Sequence, residues 1–249
     1  MKKNKLKSLL FVIYQNLIFF IKETYFSFLI NFKKSNKKIS VIIPTLHQSK
    51  YLFELISNLN ISSSVLEIII IDNGNKNGLN LVQFEKVRVL NQFENLYVNP
   101  SWNLGVRNAK SDYIAICNDD ILFDTSIIEK VLLLLDSNIG IIGVNPEVNQ
   151  ISKFLKIRVA KKRLKYYGTL MFLKKEKYRF IPSDLLIWNG DDYLFYAVNK
   201  INFSVGGFYY KTKMATTSGQ EIFGELKMKD REIYKEKYQN KLGNTIYVR

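Results

Sequence analysis

Two short acidic runs carry more carboxylate than an ordinary loop needs. The first is Asn118-Asp119-Asp120, which follows Tyr113–Cys117, a short apolar stretch rich in aromatic and β-branched residues. A run of that kind reads as a buried strand, and the carboxyl end of such a strand is where open α/β sheets bind ligands. Adjacent carboxylates repel one another unless a cation or hydrogen-bond donors stand between them and their target. Mg²⁺ or Mn²⁺ would settle that charge, because both favour carboxylate oxygen and share their coordination with phosphates. The simpler use is an Asx turn into a following helix. Asp124, Thr125 or Ser126 already supplies a cap for that helix, with Ser126 and Glu129 at capping-box spacing. On the triplet alone both uses stand. The second run, Asp191-Asp192, follows Trp188-Asn189-Gly190 and opens an expected helix over 192–199. Acidic residues at a helix start are favoured by the dipole, so capping is the simpler use of this pair taken by itself. Trp188 would serve either as an apolar platform for a ligand or as a core residue.

The elements that must position these groups alternate. Strands are expected over 39–43, 65–71, 87–90, 113–117 and 139–144, and helices over 49–59, 102–109 and 125–136. That alternation predicts an α/β fold with a mostly parallel sheet and helices on both faces. Polar residues close the strand ends: Thr45, Asp72, then the triplet. In a doubly wound sheet these ends share one rim, although they lie far apart in the chain. A polar loop covers 75–80. The second half is less regular. Residues 150–165 are strongly basic, forming either a solvated loop or a surface facing phosphates. Strands are expected over 168–173 and 203–210, with Gly206-Gly207 as a bulge. A small-residue loop covers 214–219, and a Lys/Glu-rich surface helix covers 222–238.

Composition bounds the partners. The chain has 249 residues, 47% of them apolar, and a formal net charge of +15. Such a chain can bury a large core and attracts an anionic partner. One Cys and one His exclude an internal disulfide, a multi-histidine metal centre and a structural zinc. Nucleic acid is disfavoured because the charge is spread over both ends with no recognised binding module.

Residues 1–37 form one unit and 38–249 a second, with a regular half over 38–145 and a less regular half over 146–249. Within the first unit, Lys2, Lys3, Lys5 and Lys7 precede an apolar run over 9–20 broken only by Gln15 and Asn16. The uninterrupted run is too short to span a bilayer, and no small-x-small cleavage site follows it. Ser8, Gln15 and Lys22, with Asn16 and Glu23, make a narrow polar stripe at helical spacing. An amphipathic helix lying on an anionic membrane surface is the first expectation. Packing on the body or in an oligomer is the alternative.

The ordered set Val41-Ile42-Ile43-Pro44-Thr45, Ile69-Ile70-Ile71-Asp72-Asn73-Gly74, Asn95 through Asn103-Leu104-Gly105, Asn118-Asp119-Asp120 and Gly190-Asp191-Asp192 resembles the family 2 glycosyltransferases of the GT-A fold. The resemblance implies a Rossmann-like sheet and transfer, with inversion, from a nucleotide-sugar to a hydroxyl of a bacterial surface glycan. It implies a Mn²⁺ or Mg²⁺ cofactor, a donor of the UDP-sugar kind and a glycan or lipid-linked glycan acceptor. The cytoplasmic face of the cell membrane would be the site of action. Thr45 and Asp72 match positions near the base and ribose, and Asn103 matches a position framing the nucleotide and donor sugar. Asn118-Asp119-Asp120 matches the DxD motif with its first Asp replaced by Asn. Asp120 would hold the metal and Asp119 would touch ribose or sugar hydroxyls. Asp192 matches the general base, and Asp191 stands where a Glu is usual. No His follows the base, and no Gln-x-x-Arg-Trp motif is present, which argues against a processive synthase. The competing classes are a sugar-phosphate nucleotidyltransferase and a basic nucleic-acid-binding protein. The first should carry a Gly-rich phosphate loop after the first strand, where Thr45-Leu46-His47-Gln48 has no glycine.

Overall fold

A computed structural model describes residues 2–74, 81–145, 151–213 and 223–242, with the side chains of 2–6 outside that description. The loops expected over 75–80 and 214–219, and the start of the basic segment at Gln150, lie outside the described residues. In chain order the strands are β1 (Ile39–Thr45), β2 (Val65–Asp72), β3 (Val87–Asn91), β4 (Tyr113–Cys117), β5 (Ile121–Phe123), β6 (Ile142–Val144), β7 (Lys156–Val159), β8 (Leu170–Lys174), β9 (Phe203–Gly206) and β10 (Tyr210–Thr212). The helices are α1 (Lys2–Phe32), α2 (Leu52–Ile61), α3 (Val98–Asn108), α4 (Ile127–Val131), α5 (Gly190–Ala197), α6 (Gly224–Ile233) and α7 (Asn240–Leu242). A π-helical stretch over Tyr234–Gln239 joins the last two.

Eight strands form one sheet in the order β3-β2-β1-β4-β8-β6-β9-β7. The first four are mutually parallel. β8 runs antiparallel to β4 and β6, β9 is parallel to β6, and β7 closes the far edge antiparallel to β9. Strands from either side of residue 145 therefore share this sheet. Side-chain alternation explains the continuous apolar strands, because both faces are covered. Val41, Ile43, Ile68 and Ile70 join the core with α2 and α4. Ile42, Ile69, Ile71, Ile114 and Ile116 join Trp102, Val106, Leu194 and Phe195 on the other side.

The departures from expectation have local causes. The strand expected over 203–210 breaks at Gly207, whose φ of +93° suits glycine. The chain then returns as β10, antiparallel to β5. β5 itself occupies residues expected to lead directly into a helix, so the acidic triplet is a bend between two strands. The helix expected over 125–136 is only Ile127–Val131. Ser126 makes no side-chain cap there; Asp124 Oδ1 accepts from the Ser126 backbone N–H at 3.0 Å.

α1 differs most. Lys7–Phe32 is long and apolar enough, by length and composition, to cross a membrane, where the uninterrupted run alone was too short. Ser8 and Asn16 of its polar stripe are exposed, whereas Glu23, followed on the same face by Ser27 and Asn31, packs against β7. β7 is an edge strand, and an edge strand presents unpaired N–H groups. Those of Leu155, Ile157 and Val159 donate to Asn31 Oδ1 (2.9 Å), Ser27 Oγ (3.1 Å) and Glu23 Oε1 (2.7 Å). The acceptors are four residues apart on the helix, about 6 Å, and the donors two apart on the strand, about 6.6 Å, so the two ladders stay in register. Arg158 pairs with Glu23 and Lys161 donates to Asn16. Phe26 and Ile30 are buried beside them. The middle of the basic 150–165 segment is thus an edge strand bound to α1, rather than a solvated loop. The opposite face of α1 is apolar and exposed, including Leu10, Leu17, Phe20, Tyr25 and Phe28.

Candidate active site

A cleft of about 340 Å³ opens at the carboxyl ends of β1 and β4, lined among others by Thr45, Asn118, Asp119, Asp120, Asp191 and Asp192. These six come from positions spread over 147 residues, and sheet order explains the meeting. β1 and β4 are parallel neighbours, so Thr45 and the triplet leave the sheet at the same rim. Thr45 Oγ1 donates to Asp119 Oδ2 at 2.6 Å. Asp119 and Asp120 are 7% and 4% exposed. Burial pushes the Asp119 carboxyl up to about 6; the Thr45 hydroxyl opposes that rise and the Asp120 charge adds to it.

The second acidic pair reaches the cleft from the first turn of α5. Close approach requires glycine at two places. A Cβ on Gly190 would stand 2.0 Å from Asn99 Oδ1, and one on Gly168 would stand 2.5 Å from Asp191 Oδ2. Asp192 is not a simple helix cap. Its Oδ1 accepts from Arg163 Nε at 2.6 Å and its Oδ2 from Asn189 Nδ2 at 2.9 Å. Arg163 Nη1 also lies 3.2 Å from Asp191 Oδ2. Desolvation raises the Asp191 carboxyl above the ordinary range, the Asp192 charge raises it further, and Arg163 opposes both.

Asp230 on α6 holds the loop before this pair. Its buried carboxylate accepts from the backbone N–H groups of Leu186 (3.1 Å), Ile187 (2.7 Å) and Trp188 (2.7 Å). Asn99 reinforces the loop from α3, donating to the Leu185 and Trp188 carbonyls. Trp188 lines the cleft instead of joining the core, with Lys227 and Arg231 over its ring at 5.4 and 5.5 Å from the centroid.

Two candidate residues lie elsewhere. Asn103 does not frame the cleft: its side chain donates to the Ile181 carbonyl (2.8 Å) and accepts from Tyr178 (2.9 Å) and the Ile181 N–H (3.0 Å). These bonds use its amide to fasten α3 to the 178–181 segment. Asp72 is at the correct rim, opposite Thr45 in register, yet its carboxylate turns to His47 Nε2 (2.6 Å) and the Gly74 N–H (2.9 Å) and is not a lining group. Conversely, Tyr97, Trp102, Arg163 and Phe223 line the cleft without having been singled out. Trp102 is 4% exposed and its indole N–H has no partner among the described residues. Arg163 was legible only as one of seven basic residues over 150–165.

The pattern describing glycosyl transferase family 2 matches residues 40–188, more than half of the chain. The chain belongs to glycosyl transferase family 2. No curated protein matches it. Solved structures with a similar fold include GalNAc-T7 with UDP, GalNAc and Mn²⁺, at TM-score 0.60 and 10% identity, with 83% of this chain covered and 50% of that one. The mannosyltransferase PcManGT from Pyrobaculum calidifontis, in complex with GDP-Man and Mn²⁺, gives 0.51 and 13%, covering 77% and 64%. S. aureus TarS 1–349 gives 0.53 and 12%, covering 85% and 76%. This family 2 chain thus spans half the length of the first and under two thirds of the second. At these identities the likeness is one of fold.

The site was tested for a divalent ion by its donor set. No group of three or more His, Cys, Asp or Glu residues among the described residues forms a ready metal cage. Mg²⁺ and Mn²⁺ sites that serve phosphate chemistry need only one or two carboxylates, the rest being water and substrate oxygen. Asp119 and Asp120 fit that kind of site.

Proposed function

We propose that this chain is an inverting, metal-dependent glycosyltransferase that moves a sugar from a nucleoside diphosphate sugar to a hydroxyl of a bacterial surface glycan. The observation that carries the reading is the convergence of two separate carboxylate pairs, Asp119-Asp120 and Asp191-Asp192, on one cleft. Transfer needs two things at opposite sides of an anomeric carbon: charge compensation for a departing diphosphate and a base for an incoming alcohol.

Asp120, with Asp119 beside it, is assigned to hold the divalent ion, and Thr45 fixes the Asp119 carboxylate. When bound, that ion supplies Lewis-acid stabilisation of the leaving diphosphate. Tyr97 and Trp102 offer ring surface on the same side of the cleft, and Lys165 adds positive charge. Asp192 takes the proton of the acceptor hydroxyl. As the acceptor oxygen bonds to the anomeric carbon, the bond from that carbon to the phosphate oxygen breaks and its electron pair leaves with the diphosphate. Attack from the opposite face inverts the configuration. Arg163 and Asn189 hold Asp192 in one orientation, and Asp191 shares the guanidinium.

α1 is assigned to an anionic membrane surface on the cytoplasmic side, with its polar face on β7 and its apolar face in the lipid interface. That reading rests on the exposed apolar face and on the lysines near its start.

A thermal-shift screen of nucleotide-sugars with Mn²⁺ tests the proposal: at least one diphosphate sugar should raise Tm, and a flat response across all bases would sink it. Asp120→Ala should weaken nucleoside diphosphate binding by tenfold or more in the presence of Mn²⁺ and change little without it, read by calorimetry.

A further inference from the structure

Beside the cleft lies a second cavity of about 720 Å³, whose lining includes Arg163, Trp188, Asn189, Asp192, Arg231 and Lys235. It shares Arg163, Trp188, Asn189 and Asp192 with the first cleft, so the two spaces meet at the candidate base. The far wall is the C-terminal helix. Lys227 and Arg231 are one turn apart and both lie over the Trp188 ring, and Lys235 follows four residues later in the π-helical stretch. Like charges four apart oppose one another on a helix. Asp230, the acid of α6 beside them, is committed to the backbone N–H groups of the 186–188 loop. Among the described residues neither Arg231 nor Lys235 is paired with a carboxylate, whereas Lys237 is paired with Asp184. The carboxylate in the cavity wall, Asp192, is already engaged by Arg163 and Asn189.

A large hollow that ends on the base, has an aromatic floor and carries two cations without a carboxylate partner among the described residues is suited to an anionic sugar chain. The ring gives a platform for a pyranose face, and the cations meet charges farther along the chain. We propose that this cavity is the acceptor site and that the acceptor is an acidic glycan, its phosphate or carboxylate groups received by Arg231 and Lys235. The inference rests on the transferase reading for the role of Asp192 and names the acceptor class of that site.

The test uses the full chain with its donor cleft filled by Mg²⁺ and the nucleoside diphosphate chosen by the donor screen. Three probes of equal length are titrated at fixed ionic strength: a glycerol-phosphate oligomer, an oligogalacturonate and neutral maltohexaose. At least one acidic probe should bind tenfold or more tightly than maltohexaose. That preference should shrink at least tenfold in the Arg231→Ala/Lys235→Ala double variant, whose Tm is measured alongside, and more salt should weaken binding. The phosphate arm and the carboxylate arm tell which acid is recognised. Equal affinity for the neutral probe, or an undiminished preference in the double variant, overturns the inference. In a variant that melts early, charge reversal at Lys235 alone (Lys235→Glu) replaces it, with the same two outcomes. Nucleoside diphosphate binding on the same samples separates the two readings. Its loss with acidic-probe binding intact sinks the transferase assignment and leaves the cavity, whereas its retention with no acidic preference sinks the cavity alone.

Discussion

Asp119 and Asp191 are both acidic residues packed beside a second carboxylate at the same cleft, yet their surroundings differ. Asp119 receives its hydrogen bond from the neutral hydroxyl of Thr45, so that contact leaves its charge in place. Asp191 and Asp192 share one guanidinium, that of Arg163. The sheet also places the two pairs differently. Thr45 and the triplet leave adjacent parallel strands, β1 and β4, paired from Ser40–Ile114 to Ile42–Ile116. The second pair depends on a loop tied down from two helices, by Asp230 on α6 and Asn99 on α3. A charge kept in place suits capture of an external cation. A charge already balanced by the protein suits a group that must carry a proton and stay in one orientation.

The comparison is broken most severely at Asp192. Asp192→Asn keeps the size and one of the two accepted hydrogen bonds, and removes the proton acceptor. Transfer should fall by about 10²- to 10⁴-fold or more, while nucleoside diphosphate binding with Mn²⁺ stays within about twofold of the parent. If turnover survives, Asp191 is the base and the roles of the pair reverse.

Asp230 is the next point. Asp230→Ala leaves three backbone N–H groups, that of Ile187 buried and those of Leu186 and Trp188 partly buried, without their acceptor. An unsatisfied buried donor costs about 1–3 kcal/mol, so a loss of about 3 kcal/mol or more is expected in a urea melt. Thr45→Val, on the strand-end side, should cost about 1 kcal/mol by the same reckoning. Equal costs would contradict the claim that the two sides are held by different means.

The same contrast explains what could be read in advance. Repeated apolar runs closed by Thr45, Asp72 and Asn118-Asp119-Asp120 announce parallel strands and a shared rim, because strand periodicity and turn chemistry are local signals. Hydrogen bonds that hold the second side reach 29 to 89 positions along the chain, as Arg163 with Asp192, Asp230 with Trp188 and Asn99 with Trp188, and have no local pattern. Asn103 was misplaced for a related reason: a buried asparagine that fastens two segments has the same letter as one that holds a ligand. The polar stripe of α1 was visible, but its direction was not, since sequence spacing gives a face and not the partner of that face.

Arg163 sharpens the comparison through pH. Burial and the Asp192 charge raise the Asp191 carboxyl to about 6, and Arg163 opposes that rise. The pair works deprotonated, so kcat/KM should climb with pH through an acid limb near the raised value. Arg163→Gln removes the opposing cation, so the Asp191 carboxyl holds its proton to higher pH and the limb should move upward. A merely structural Arg163 would lower the plateau and leave the limb where it was.

α1 offers a second pair of faces on which to make the smallest of these measurements. Its inner face is specific: Asn31 both donates to the Leu155 carbonyl at 3.0 Å and accepts from the Leu155 N–H. Asn31→Ala exposes that part of the β7 edge and should cost about 1–2 kcal/mol, read as a lowered Tm. The outer face makes no such contacts. Leu17→Ser with Phe20→Ser changes two residues that are 54% and 64% exposed, so Tm should shift by less than the error of the Asn31 measurement. Sedimentation with anionic vesicles should fall severalfold in the outer-face variant, because about 25 cal/mol of transfer free energy is lost for each Å² of apolar surface removed from the lipid contact. Should the outer-face variant melt early and sediment as before, the apolar face is covered by protein instead of lipid, and α1 serves as an assembly surface.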